Sequence, residues 1–390
     1  MPDVGGVDFD MGKRRHPMSG LTVLITNNTL ARRGGSELYV RDTATELLKR
    51  GHTPIAYSPI LGEVARELEG VNIAVVDDLN NLAVAPDLIH GQHHMELMTA
   101  LLHFPRLPAI QLIHSSKSWY EKPVRFPRIL RYVAVDYACR DLLRQYAIPE
   151  KRIRVLFNFV DLARFEYRRK PLSTTPQRAL LFSNYATEDS HLSAVREACA
   201  RVNIPLDVVG SQSNTASVYP EQILGEYDLV FAKARSALEA MAVGAAVVLC
   251  DFEGCGPMVT PENFARLRPL NFGRRALNGP LDAAVIAKEI RRYNPAEADS
   301  VSRTVRAIAG HERVVDELIS LYEDVIQEFQ QNDHGEKLTE DRAAAAYLRQ
   351  LKVDFNANTA AAIRLREHLE RVPLVGRLGV KLARAAMRRK

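Results

Sequence analysis

The 390-residue sequence predicts an α/β protein built of two doubly wound halves and a helical C-terminal appendage. Three observations carry that prediction. The length exceeds one ordinary domain of about 150 residues. Short runs of Val, Ile and Leu alternate with helix-periodic stretches, the pattern of parallel sheets buried on both faces. The alternation breaks once, at the polar DLARFEYRRKPLSTTP of residues 161–176, which reads as an interdomain linker, and then restarts.

In the first half, strands are predicted at LTVLITN from residue 21, TPIAYSP from 53, NIAVV from 72, DLIHG from 87, AIQLI from 109, YVAVD from 132 and IRVLF from 153. Helices fill residues 35–50, 61–69, 95–103 and 137–146, and the first closes on Gly51, which suits a left-handed cap. The second half has strands at RALLFS from 178, PLDVVG from 205, YDLVF from 227 and AAVVLC from 245. Its helices are expected over 189–202 and 235–243, with a further set from 281 to 329. The chain thus divides into a disordered polar leader over 1–20, halves over 21–165 and 166–310, a crossover helix and linker over 311–340, and a helical basic tail over 341–390.

The net charge of +5, with 25% charged and 46% apolar residues, fits a globular protein and sets aside disordered and multi-span membrane classes. Seven basic residues and no acid lie in 371–390, so residues 1–370 carry −2 and suggest no nucleic-acid partner. Within that tail Arg377, Lys381, Arg384 and Arg388 recur at helical spacing beside Leu374, Leu378, Leu382 and Ala385. Such a helix suits an anionic membrane surface; packing against protein is the alternative. The four cysteines form no C-x-x-C pair and no zinc spacing, which fits a reducing cytoplasm. The leader lacks the apolar segment of a secretory signal. Its Asp8-Phe9-Asp10 precedes any strand and is not taken as a metal site.

There is no phosphate loop of the G-x-x-x-x-G-K-[ST] type, no G-x-G-x-x-G after the first strand, no H-E-x-x-H and no G-x-S-x-G. Nucleotide hydrolysis, nicotinamide redox chemistry, zinc proteolysis and acyl transfer on a nucleophile elbow lose their support. Arg32-Arg33-Gly34-Gly35 instead opens the first helix, where a turn with a cap and an anion-facing loop are both consistent with the spacing. Between strands, a helix from Ser236 to Val243 would point its first-turn amides, with Lys233 and Arg235 beside them, at the carboxyl edge of the sheet, an arrangement that suits two phosphates. Glu239 follows one turn later in an otherwise apolar helix; it suits the two hydroxyls of a ribose or, alternatively, the electrostatics of the helix start.

The stretch RSALEAMAVGAAVV from Arg235 resembles the donor-nucleotide segment of retaining GT-B glycosyltransferases, in particular glycosyltransferase family 4. GGSELYVRDTATELLKRGH from Gly34, QLIHSS from Gln111 and VLFNFVDLARF from Val155 are similar to further segments of that family, in the same order. The resemblance implies two Rossmann-like domains facing a cleft. It implies a nucleotide-diphosphate-sugar donor on the C-terminal half, an acceptor on the N-terminal half, retention, and no metal or other cofactor. It assigns the ribose to Glu239, the loop facing the donor phosphates and acceptor to Gly34 and Gly35, a place near the transferred sugar to His114, and a glycine-rich loop by that sugar to Gly254 and Gly256. For residues 254–256 a structural turn is the alternative.

Three positions depart from the family. Phe231 stands where a first glutamate is usual, eight positions before Glu239. SNYATEDSHLSA from Ser183 lacks the usual Arg and Lys and has only His191. Phe159 replaces a glycine at the junction. Leaving-group charge must still be stabilised. Arg235 and Lys233, with Arg32 or Arg33 across the cleft, are therefore the expected substitutes. The sequence thus predicts a glycosyltransferase acting on a glycan or lipid-linked glycan at the cytoplasmic membrane face. A non-catalytic scaffold or regulatory subunit of the same fold and a sugar-nucleotide epimerase stand as alternatives.

Overall fold

Runs of Val, Ile and Leu build the first sheet, whose inner strands are buried on both faces and whose edge strands are partly exposed. The computed structural model describes residues 20–213, 215, 219–331 and 337–370. In it β1 (Thr22–Thr26), β2 (Thr53–Tyr57), β3 (Ala74–Val76), β4 (Leu88–Gly91), β5 (Ala109–Ile113), β6 (Ile129–Ala134) and β7 (Ile153–Val155) lie in the order β3-β2-β1-β4-β5-β6-β7. Every pairing is parallel. Strand β6 starts at Ile129 rather than Tyr132, because Ile129 and Leu130 are themselves buried. Helices α1 (Gly35–Lys49), α2 (Glu63–Glu69), α3 (His94–His103) and α4 (Tyr137–Gln145) connect these strands. Past α1, Gly51 takes the left-handed conformation at φ 80°, as its place in the sequence anticipates.

The second sheet runs β12-β11-β10-β8-β9, from β8 (Ala179–Phe182), β9 (Leu206–Val209), β10 (Leu229–Ala232), β11 (Ala246–Asp251) and β12 (Gly254–Met258). Its helices are α5 (Leu192–Ala200), the single turn α6 (Pro220–Ile223), α7 (Ala234–Ala242), α8 (Pro261–Leu267), α9 (Ala283–Ile290) and α10 (Pro295–Ile308). Alternate residues of its strands serve two apolar layers: Val230 packs with Leu238 and Met241 on one face, and Phe231 with Leu181 and Val195 on the other.

Strand β12 corrects the expectation of a glycine-rich loop at Gly254 and Gly256. It pairs antiparallel with β11, and Cys255 exchanges backbone hydrogen bonds with Gly279 at 3.0 and 2.7 Å. A Cβ at Gly254 would meet the Gly279 and Leu277 carbonyls, and one at Gly256 the Ala276 carbonyl. These glycines admit neighbouring backbone rather than a ligand. GCGPM has little strand propensity, and tertiary pairing overrides that preference.

The chain crosses between the halves twice, side by side. The Val160 N–H donates to Ala309 O at 2.8 Å, and the His311 N–H donates to Val160 O at 3.0 Å. Helix α11 (His311–Gln331) then returns to pack on α1, β5 and β6 of the first sheet. The stretch over 161–176 corrects its reading as a linker. Phe165 is buried in the core of the second half, and the Arg168 N–H donates to Val243 O at 3.0 Å. Its polar composition hides one anchoring aromatic.

The described residues form two compact units, one holding both sheets and one combining residues 124–127 with α12 (Lys337–Glu370). No helix among the described residues is long and apolar enough to cross a membrane. The leader up to residue 19 and the stripe of Arg377, Lys381, Arg384 and Arg388 lie outside the described residues.

Candidate active site

The carboxyl edges of the two sheets bound a cleft of two adjoining cavities, of about 430 and 480 Å³. Gly34, Gly35, Tyr185, Arg235 and Ser236 line both. His114 and Lys233 line the first, and Arg32, Arg33 and Glu239 line the second. The residues predicted for the donor, its phosphates and the acceptor therefore line one cleft, except Gly254 and Gly256.

The two helices that open on the cleft differ at their starts. At α1 the Glu37 carboxyl folds back so closely that a Cβ on Gly34 would collide with it. The Ser36 hydroxyl donates to that carboxyl at 2.9 Å, and burial raises its pKa. An internal acid thus occupies the positive end of α1. Helix α7 has no side-chain cap and no acid in its first turn. Its Ala234 N–H donates to Phe272 O at 2.9 Å, and Ala234 sits at φ 51° beside Asn271 at 53° and Phe272 at 50°. Positive φ is costly for alanine and phenylalanine, and such backbone tends to cluster at functional sites. The amides of Arg235 and Ser236 lie in the first turn, where a helix offers no acceptor of its own, and both residues line the cleft.

Glu239 is buried one turn further on, and Arg235 Nε donates to its Oε1 at 2.9 Å. The same guanidinium donates to Asp42, on α1 of the other half. Arg41 also donates to Asp42. Burial would lower the Arg235 pKa, but Asp42 and Glu239 together raise it. For Glu239 burial outweighs Arg235, so its pKa is raised. Burial opposes ionisation of Asp42 as well, yet Arg235 and Arg41 hold its pKa below the ordinary value.

Lys233 pairs with Asp251, pairs with Glu253 at 3.1 Å, and lies 4.9 Å from the centroid of Phe252. The remaining cations of the cleft are mostly paired too. Arg33 meets Glu67, Arg275 meets Asp141 at 2.6 Å, Arg164 meets Glu221 at 2.8 Å, and Arg274 lies 3.8 Å from Glu253. Arg32 and Lys117 line the cleft and meet no carboxylate among the described residues.

His114 ends β5 on the opposite wall. Its Nε2 lies 2.8 Å from Gln92 Oε1, and its backbone N–H donates to Glu121 Oε2 at 2.9 Å. Tyr39 packs edge-on at 4.9 Å. Burial, with His93, His90 and Arg235 nearby, pushes its pKa well below the usual value, so the imidazole is neutral. With Nε2–H donating to Gln92, Nδ1 is the acceptor.

The departures have local causes. Phe231 points into the core layer because α7 begins two residues after β10, leaving no loop to carry a carboxylate to the cleft. Ser183, Asn184 and Tyr185 wall the cleft without a cation. His191 is buried behind it, 3.6 Å from Asp251, and burial lowers its pKa. Phe159 fills the junction against Tyr39 at 5.0 Å. Sequence reasoning missed Asp42, Asp251 and Lys117. Asp42 lies two turns past Gly35 on the same helix, a spacing visible in the sequence, but its partner is almost two hundred residues away. Among the described residues no group of three or more His, Cys, Asp or Glu side chains could hold a metal ion.

Residues 33–164 match the model of Glycosyltransferase Family 4. The match covers the half that carries Gly34, Asp42 and His114. No curated protein matches the chain. Among solved structures the chain is similar to Anabaena HepE in complex with UDP and glucose, with a TM-score of 0.56 and 14% identity over 77% of this chain and 98% of that one. It is also similar to sucrose-phosphate synthase from Thermosynechococcus elongatus, with a TM-score of 0.57 and 14% identity over 79% of this chain and all of the other. These likenesses establish the fold: two Rossmann-like α/β domains in the GT-B arrangement, with a helical C-terminal region.

Proposed function

We propose that the protein is a glycosyltransferase that moves a sugar from a nucleotide-diphosphate-sugar, with UDP as the nucleotide, to a hydroxyl of a glycan or lipid-linked glycan. The observation that carries this reading is the buried Glu239 carboxylate one turn beyond an uncapped helix start in a cleft that His114 faces. The family match over residues 33–164 supports transfer chemistry, and the UDP and glucose bound by Anabaena HepE support the choice of nucleotide.

In this reading the Arg235 and Ser236 amides take the diphosphate and Glu239 accepts the ribose hydroxyls. Neutral His114 accepts a hydroxyl of the transferred sugar at Nδ1. The anomeric carbon–oxygen bond to the diphosphate breaks as the acceptor oxygen bonds to the same carbon. The acceptor proton passes to the departing phosphate oxygen on the same face, which gives retention. Donors aimed at that oxygen supply several kcal/mol of the barrier reduction, and the step is drawn without a metal. The basic tail places the enzyme at an anionic membrane surface on the cytoplasmic side.

The test is a thermal-shift panel of UDP, GDP, ADP and CMP. A nucleotide at 100 times its Kd adds ~2.7 kcal/mol of stability. UDP is expected to raise Tm by roughly 3 °C, and Glu239→Ala to abolish the rise. Silence toward every nucleotide would refute the donor reading and leave a non-catalytic subunit of the same fold.

A further inference from the structure

We infer that the charge on the leaving diphosphate is neutralised from the N-terminal half, by Lys117 and Arg32, rather than by Lys233 and Arg235. The inference rests on the donor reading above and names the residues that serve it. Charge decides the matter. Lys233 faces Asp251 and Glu253, and Arg235 faces Asp42 and Glu239, so each cation is already opposed by two carboxylates. The wall at Ser183–Tyr185 brings none. Lys117 and Arg32 are the cleft-lining cations among the described residues that meet no carboxylate, and both are exposed.

Their positions flank the anion site. Lys117 lines the cavity that contains His114 and Ser236, and Arg32 lines the adjoining cavity that shares Ser236 and contains Glu239. The loop that carries Lys117 is shaped by Ser115, whose hydroxyl accepts from the Lys117 and Ser118 amides at 3.2 and 3.3 Å. A lysine there is a flexible point charge that can follow a phosphate. A diphosphate on α7 is thus held by one half and neutralised by the other, which makes leaving-group stabilisation depend on the two halves facing each other across the cleft.

The experiment compares UDP with uridine on the full chain, by calorimetry for UDP and ligand-observed NMR for uridine. Lys117→Met and Arg32→Met each remove a charge-assisted contact, so each is expected to weaken UDP by about tenfold and the double variant by about a hundredfold. Uridine affinity stays within about twofold, and the salt dependence of UDP binding flattens in the double variant. UDP affinity within about twofold of wild type in the double variant overturns the inference. A parallel loss of uridine also overturns it, because the side chains would then be shaping the pocket. Wild-type protein that binds none of UDP, GDP and ADP sinks the donor reading itself, a distinguishable result.

Discussion

Replacing Arg235 with alanine is expected to cost about 3–5 kcal/mol of stability, because it strands buried carboxylates. Arg235, Asp42 and Glu239 are all more than four-fifths buried, and the guanidinium is the ion-pair partner of Glu239 as well as one of two for Asp42. At this protein size the loss corresponds to a fall in Tm of roughly 4–6 °C. The sign with pH is fixed by Glu239. Its folded pKa is raised and rises further without Arg235, so the folded variant takes up a proton before the unfolded chain does. The deficit against wild type should therefore shrink as pH falls toward 5 and grow as it rises. Combining Arg235→Met with Asp42→Asn and Glu239→Gln removes all three charges and should recover at least half of the loss. A Tm change under about 2 °C in Arg235→Ala would show that the ion pairs contribute nothing. The same variant should lose more than about tenfold in kcat/KM, since Glu239 is no longer held in place.

Wild-type protein should lose about 2 kcal/mol more than a His90→Asn variant between pH 7 and pH 5. His90 is fully buried on β4, with Nδ1 2.6 Å from the Tyr322 hydroxyl of α11 and Nε2 without a partner among the described residues. Burial pushes its pKa down to about 3. Below about 6.5 the unfolded chain binds a proton that the folded chain refuses, so stability falls by about 1.4 kcal/mol per pH unit until pH approaches 3. The carboxyls of Glu37, Glu96, Asp136 and Glu239 are raised by burial and act in the opposite sense. They are common to both chains, so the difference between wild type and variant isolates His90. Urea titrations at the two pH values measure it. A gap between the two chains that is the same at both pH values would mean that His90 is charged or solvated in the folded state.

Both predictions concern residues whose behaviour is set by partners far away in the chain. The strands, by contrast, were legible locally. Apolar runs bounded by helix-periodic stretches mark β1 to β11, most plainly the inner strands, since a parallel strand buried on both faces must be apolar throughout. Gly51 follows from local backbone preference in the same way. The order of four family-like segments placed Glu239, His114 and Gly34 in one cleft, and there they meet.

What could not be read locally depends on long-range pairing. GCGPM became a strand because β11 and Gly279 supply its partners. DLARF became part of the second core because Phe165 reaches it. Most of all, the sequence lists the cations near the cleft but not their counterions. Lys233 and Arg235 looked available because Asp251 follows Lys233 by eighteen positions and Asp42 precedes Arg235 by 193. An ion pair is a property of distance in space, which falls off too steeply with separation to be inferred from composition. Folding therefore sets the counterions: Lys233 and Arg235, beside the start of α7 in sequence, each meet two carboxylates, whereas Arg32 and Lys117 line the same cleft and meet none among the described residues.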